Sequence, residues 1–194
     1  MESDQLFILV MISKAVEFLK KKEGFTPVAI WDVNAWRIGY GSDTITNSLN
    51  QVRKVIQTDR ITQADADRDL SRRISQEFIP KIKAKIGADT WNQLPENTQI
   101  AFISLAYNYG NITKASIVAT AKTLNLKRLS EVWIESTYND NKKLPENVRN
   151  ALRKRRAEEA ALIATDAASG SGVQGSSILI PVILLISGVY ILTR

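Results

Sequence analysis

Between Thr165 and Ser177 the sequence changes character, and that change limits how much of the chain can share one core. The stretch T-D-A-A-S-G-S-G-V-Q-G-S-S is small and polar, which predicts a flexible linker. Beyond it, Ile178 to Leu192 carries no charge. The uncharged run from Ser176 through Thr193 is 18 residues long, the lower edge of what spans a bilayer as a helix. Pro181 falls in the first turn, where proline is tolerated, and Tyr190 and Arg194 suit the far interface. The expected organisation is a domain over 1–164, a linker over 165–177 and a single-pass transmembrane anchor over 178–192. The expected location is therefore a membrane.

The N-terminus reads differently. Leu6 to Ile12 is apolar, but Glu2 and Asp4 stand where a signal peptide carries positive charge, and no small-residue cleavage site follows. Phe7, Val10, Met11, Ala15 and Phe18 recur at helical spacing, predicting an amphipathic helix over about 4–22 with Glu23 at its C-terminal end. A signal anchor is the alternative reading of that segment.

Further on, Thr62 with Asp65 three residues later marks a helix start, and Ala66, Leu70, Ile74 and Phe78 repeat every four residues up to Pro80. Leu94-Pro95-Glu96-Asn97 opens a helix whose apolar residues, from Ile100 to Ala106, run nearly all round it. That pattern predicts the central helix of the core, closed by Gly110. Shorter helices are expected at about 114–124, 127–138 and 145–164, and a small hairpin or irregular sheet over 25–45. The expected fold class is α+β, mostly helical with a minor β element near the N-terminus.

Composition removes several chemistries. The chain has no cysteine and no histidine, which excludes a Ser-His-Asp triad, a cysteine nucleophile and a His-ligated zinc site. Neither a metal nor an organic cofactor is expected. Any hydrolysis must rest on carboxylates, hydroxyls, amides or cations. The net charge of +6 suits a polyanionic partner. No run resembles a nucleic-acid motif, and Lys20-Lys21-Lys22 is too short to count as one.

The chemistry concentrates between Glu23 and Ser42. Two carboxylates, Glu23 and Asp32, lie among Phe25, Trp31 and Trp36, followed by Gly39-Tyr40-Gly41. Cleaving a glycosidic bond needs one carboxyl that donates a proton to the leaving oxygen and a second that activates water or offsets positive charge. Apolar walls and wet surroundings push two such groups apart in proton affinity. Read alone, Glu23 is also an ordinary helix-end charge and Asp32 an ordinary turn residue.

Glu23, eight intervening residues, Asp32 and Ile38-Gly39-Tyr40-Gly41 together resemble the active-site block of phage-type lysozymes. Ile61 to Ala66, Gln99 to Gly110 and Arg155 to Leu162 resemble three later segments of that family in the same order. The resemblance spans about residues 15–163. It implies a lysozyme-like fold, with Glu23 as general acid and Asp32 as second carboxylate in cleaving the N-acetylmuramic acid–N-acetylglucosamine bond of bacterial peptidoglycan. The family usually has a threonine before the Ile-Gly, one residue further from the aspartate, and commonly a histidine at the end of the turn. This chain has Arg37 and Ser42 there. Thr44 is one candidate for the missing hydroxyl; Arg37 either pairs with Glu23 or Asp32 or points at substrate. Tyr40, Ser42 and Asn108 complete the expected substrate-binding set, although Asn108 equally suits a helix cap, and Arg155 to Glu158 reads most simply as a solvated helix face.

Three functions follow: a membrane-anchored muramidase, a lytic transglycosylase, or a non-catalytic wall-binding or virion structural protein on a degenerate lysozyme scaffold. The expected partners are peptidoglycan and a lipid membrane. A tail anchor on a wall hydrolase implies either the internal membrane of a phage particle, beside other virion proteins, or export of the domain across the host inner membrane.

Overall fold

The computed structural model describes residues 2–112, 114–138 and 144–170. It is mostly helical, with two small antiparallel hairpins inserted after the first helix. Among the described residues no helix is long and apolar enough to cross a membrane. The expected anchor, 178–192, and linker residues 171–177 lie outside them.

Helix α1 (Glu2–Glu23) buries Met11, Ala15, Val16 and Leu19, one stripe at i, i+4 spacing. Its first turns do not join that face, and Phe7 and Val10, expected to be buried, are exposed along with Leu6, Ile8 and Leu9. Gly24 at φ +69° ends the helix and leaves Glu23 at its last position. Strand β1 (Thr26–Asp32) pairs with β2 (Ala35–Gly39), placing Trp31 opposite Trp36 and Asp32 opposite Ala35. Gly39 is obligatory. Its φ is +64°, and a Cβ there would meet Ala66 Cβ at 2.9 Å.

The hairpin turns at Val33, which sits at φ +50° while Asn34 N–H donates to the Asp32 carbonyl at 2.5 Å. A β-branched residue in the left-handed region is strained, by about 1–3 kcal/mol. Val33 is also 89% exposed, so little packing opposes its replacement. Val33→Gly is expected to raise stability by about 1 kcal/mol after the larger unfolded-state entropy of glycine is subtracted. Thermal unfolding should show a rise of roughly 2–4 °C.

Strand β3 (Thr44–Thr46) pairs with β4 (Val52–Lys54) to form the second hairpin. Asp59 ties its far end down: Arg53 donates both guanidinium nitrogens to the carboxylate at 2.7 and 2.8 Å, and Ile56 N–H adds a third bond at 2.8 Å. The Arg53 hydrogen bonds, chiefly, hold the Asp59 carboxyl below its ordinary range. A depressed folded-state value means stability that is present above the unfolded-state value and lost as pH falls through the folded one. Because Arg53 is open to water, Asp59→Asn should cost only about 1 kcal/mol at neutral pH. The gap between variant and wild type should close in acid, below about pH 4, when unfolding is followed against pH.

Helix α2 (Gln63–Arg73) is capped by Thr62, whose hydroxyl accepts from Asp65 N–H. Pro80 does not stop the helical path, as the spacing had suggested. A five-residue π turn, Ile74–Phe78, widens the helix, and α3 (Ile79–Ile86) continues with Pro80 in its first turn, where a missing N–H leaves no gap in the ladder. A short α4 (Ala88–Gln93), which the periodicity did not reveal, leads to α5 (Glu96–Tyr109).

Every residue of α5 from Thr98 to Ala106 is buried, so it is the central helix. Around it pack α1, α3 and, after α6 (Ala115–Lys122) and α7 (Leu126–Tyr138), the long α8 (Glu146–Gly170). Helix α8 runs six residues into the stretch expected to be linker. The reason is Asp166: its carboxylate accepts from Thr98 N–H at 2.7 Å, Thr98 Oγ1 at 2.8 Å and Asn97 Nδ2 at 2.9 Å. One helix thus caps the N-terminus of another, where a negative charge is favoured.

Candidate active site

A cleft of about 390 Å³ opens between the end of α1, the first hairpin and the C-terminal half of α5. Glu23, Asp32, Arg37, Tyr40 and Asn108 all line it. Five of the seven site residues expected from the sequence therefore converge. Arg73, Phe78, Lys81 and Tyr107 line it as well.

The two carboxylates have unlike surroundings. Glu23 is sheltered, with its side chain 22% exposed, and Oε1 accepts from Arg155 Nη1 at 2.7 Å. No hydrogen bond engages Oε2 among the described residues, which leaves one oxygen to face a ligand. Asp32, at the end of β1, is 61% exposed. Its nearest cation is Arg37, whose Nε stands 3.9 Å away, beyond hydrogen-bonding distance. Arg37 also lies 3.7 Å from Asp43 and does not pair with Glu23. Of the roles open to it, ion pairing with Asp32 is the one these distances show, with Asp43 as a second partner.

Arg155 is the residue that sequence reasoning misplaced. Arg155 and Arg156 are buried instead of forming a solvated face. Arg155 Nε donates to Ser104 Oγ at 3.2 Å and lies 3.4 Å from Glu159, while Nη2 donates to the Ser104 carbonyl at 3.3 Å. Glu159, fully buried, accepts from Ser104 Oγ at 2.6 Å, Trp133 Nε1 at 2.8 Å and Arg156 Nη2 at 2.8 Å. Burial pushes the Glu159 carboxyl upward, and Arg156, Ser104, Trp133 and Arg155 each pull against it. The network fixes Arg155, and Arg155 fixes Glu23. A signal was present in the sequence: Arg156, Glu159, Ala160, Ile163 and Asp166 fall on one helical stripe that turns inward.

Asn108 Oδ1 accepts from Arg156 Nη2 at 3.3 Å, so the same network holds that side chain at the cleft. Tyr40 is buried, its ring packed on Phe25 and its hydroxyl donating to Asp67 Oδ1 at 2.8 Å. Its carbonyl accepts from Tyr107 Oη. Burial pushes the Tyr107 phenol up to about 12, so it remains a neutral donor.

Ser42 and Thr44 do not line the cleft. Ser42 Oγ donates to Asp69 Oδ2 at 2.6 Å, and Thr44 Oγ1 reaches Asp69 Oδ1 at 3.1 Å. Thr46 Oγ1 donates to Asp69 Oδ1 at 2.6 Å, and Arg72 adds bonds to Thr44 and Thr46. A buried aspartate needs donors, and these hydroxyls supply them, fastening the second hairpin to α2. Thr44 is thereby engaged away from the carboxylate pair.

Comparison with known proteins follows the same lines. The phage lysozyme family model matches residues 20–159, a span that holds both carboxylates and Arg155. A solved point mutant of P22 lysozyme superposes with a TM-score of 0.61 at 20% identity, covering 78% of this chain and 96% of that one, which shows a shared fold. No curated protein sequence matches the chain. The family model, matched over residues 20–159 of a chain with the lysozyme fold, shows that this protein belongs to the phage lysozyme family, as a lysozyme-type peptidoglycan hydrolase.

Proposed function

We propose that the chain hydrolyses the N-acetylmuramic acid–N-acetylglucosamine bond, with Glu23 as general acid and Asp32 as second carboxylate. The observation that carries this reading is the unequal pair in one cleft: Glu23 held by Arg155 with one oxygen open, Asp32 exposed to water. Glu23 gives its proton to the glycosidic oxygen as the bond to the anomeric carbon breaks. The positive charge that develops on the sugar faces Asp32. Water adds to that carbon and returns a proton, so the net reaction is addition of one water. Arg37, Arg73 and Lys81 around the cleft favour a glycan bearing carboxylates over a neutral one.

One observation favours a second reading. With Thr44 bound to Asp69, no threonine among the described residues lines the cleft beside Asp32 to position water. A lytic transglycosylase, which relies on one acid and closes the sugar on its own hydroxyl, has less need of such a group. In either case the uncharged run at 178–192 is proposed to anchor the enzyme to a membrane, of a phage particle or of the host. Zymography of the full chain on purified murein tests the shared activity. A cleared band is expected, and an uncleared gel with folded protein overturns both enzymatic readings.

A further inference from the structure

A second recess, of about 460 Å³, lies between the two hairpins. Trp31 stands at its side 58% exposed, and Trp36 is half-buried and packed against the core. Their rings meet edge to face, with centroids 5.5 Å apart at 73°. Trp36 therefore braces an indole whose remaining surface is open. Core packing gives no reason for a large apolar ring at that position, and leaving it in water forgoes the free energy of its burial.

Charge surrounds the ring. Arg37 and Lys54 line the recess, with Asp43 between them: Lys54 Nζ donates to Asp43 Oδ2 at 2.5 Å, and Arg37 Nη1 lies 3.7 Å from Oδ1. Burial pushes the Asp43 carboxyl upward, but the Lys54 hydrogen bond and the charges of Lys54, Arg73 and Arg37 outweigh it and hold it below its ordinary range. Of the lining residues two are cations and one is a carboxylate, with Asp32 3.9 Å from Arg37 on the cleft side. Arg37 belongs to both cavities, so the recess meets the cleft of Glu23 and Asp32 at that side chain. Trp31 and Asp32 are consecutive in β1, so their side chains leave opposite faces of the hairpin, and Arg37 is the side chain through which the recess reaches the cleft.

We propose that this recess is a sugar subsite that holds the glycan strand beyond the reaction cleft, with one pyranose ring laid on Trp31 and the strand's carboxylate substituents near Arg37 and Lys54. The proposal rests on the muramidase reading of the neighbouring cleft. A pyranose presents a face of C–H bonds carrying partial positive charge, and the face of an indole is negative. Polar groups around an apolar platform then set the orientation, as in most ligand sites.

The test uses the full chain in detergent with Glu23→Gln, so that binding is measured without turnover. Soluble uncrosslinked glycan strands from peptidoglycan are titrated while tryptophan fluorescence is followed. Adding Trp31→Ala should weaken binding about tenfold, the scale of one lost aromatic contact. Trp31→Phe should restore most of it. Equal binding with and without Trp31, or no binding by the parent, overturns the subsite. Ile30 and Val33 beside the ring are also exposed, so lipid is the competing occupant. In phosphatidylcholine–phosphatidylglycerol vesicles, a bromolipid-quenched signal that disappears with Trp31→Ala, while glycan affinity stays unchanged, assigns the face to membrane instead. Wall cleavage by the unsubstituted chain is scored separately. Its absence removes the muramidase reading, whereas the binding comparison decides the subsite.

Discussion

Glu23→Gln should lower the rate of peptidoglycan clearing by about a thousandfold while leaving the fold intact. The amide matches the carboxyl in size but has no proton to give the leaving oxygen, and general acid catalysis contributes about 10²–10⁴ in rate. Stability should change little, because Arg155 keeps its bonds to Ser104 and its proximity to Glu159 when Glu23 is replaced. Turbidity loss of a murein suspension measures the first effect, and the thermal midpoint of the same protein measures the second. A variant that clears murein at the wild-type rate would remove Glu23 from the mechanism.

The largest effect on stability is expected behind the site. Glu159→Ala leaves the Arg156 guanidinium, 1% exposed, with one bond to Asn108. Its Nε and Nη1 already lack partners. Breaking a buried pair from one side costs about 3–5 kcal/mol, because the remaining charge stays desolvated. For a chain of this length that corresponds to a fall of roughly 10 °C in midpoint. Replacing Arg156 and Glu159 together with apolar residues of matched volume should recover much of the loss. Thermal unfolding by circular dichroism separates the cases. If the single variant melts with the wild type, the network is not the structural brace that its burial indicates. Activity should fall further than stability in the single variant, since Arg155 loses the neighbour that helps hold it toward Glu23.

Which parts of this arrangement were legible beforehand follows from the kind of signal each residue carries. Helix α5 was legible because a helix buried on every side has no polar face, and Ile100 to Ala106 has none. Glu23 and Asp32 stood out through their spacing and the family resemblance. Arg155 did not, because charged residues belong outside by default, and an inward arginine is explained only by partners distant in sequence: Glu23 lies 132 residues away and Ser104 lies 51. Pro80 was misread for a related reason. Proline ends a regular α-helix, and nothing local announces that a π turn will absorb it. Ser42 and Thr44 were assigned to substrate by position, but Asp69 on α2 needs their hydroxyls and a tertiary contact decides the matter. The stretch after Thr165 was read as linker from its small residues, and Asp166 keeps its first turns helical by capping α5.

In the proposed mechanism an acid held by Arg155 and an exposed carboxylate together add water across the glycosidic bond. Digestion of murein by the full chain in ¹⁸O-water, with mass spectrometry of the released muropeptides, tests it most directly. Muramic acid reducing ends carrying one ¹⁸O per cleavage are expected. Anhydro-muropeptides without the label would contradict it and assign the cleft to transglycosylation.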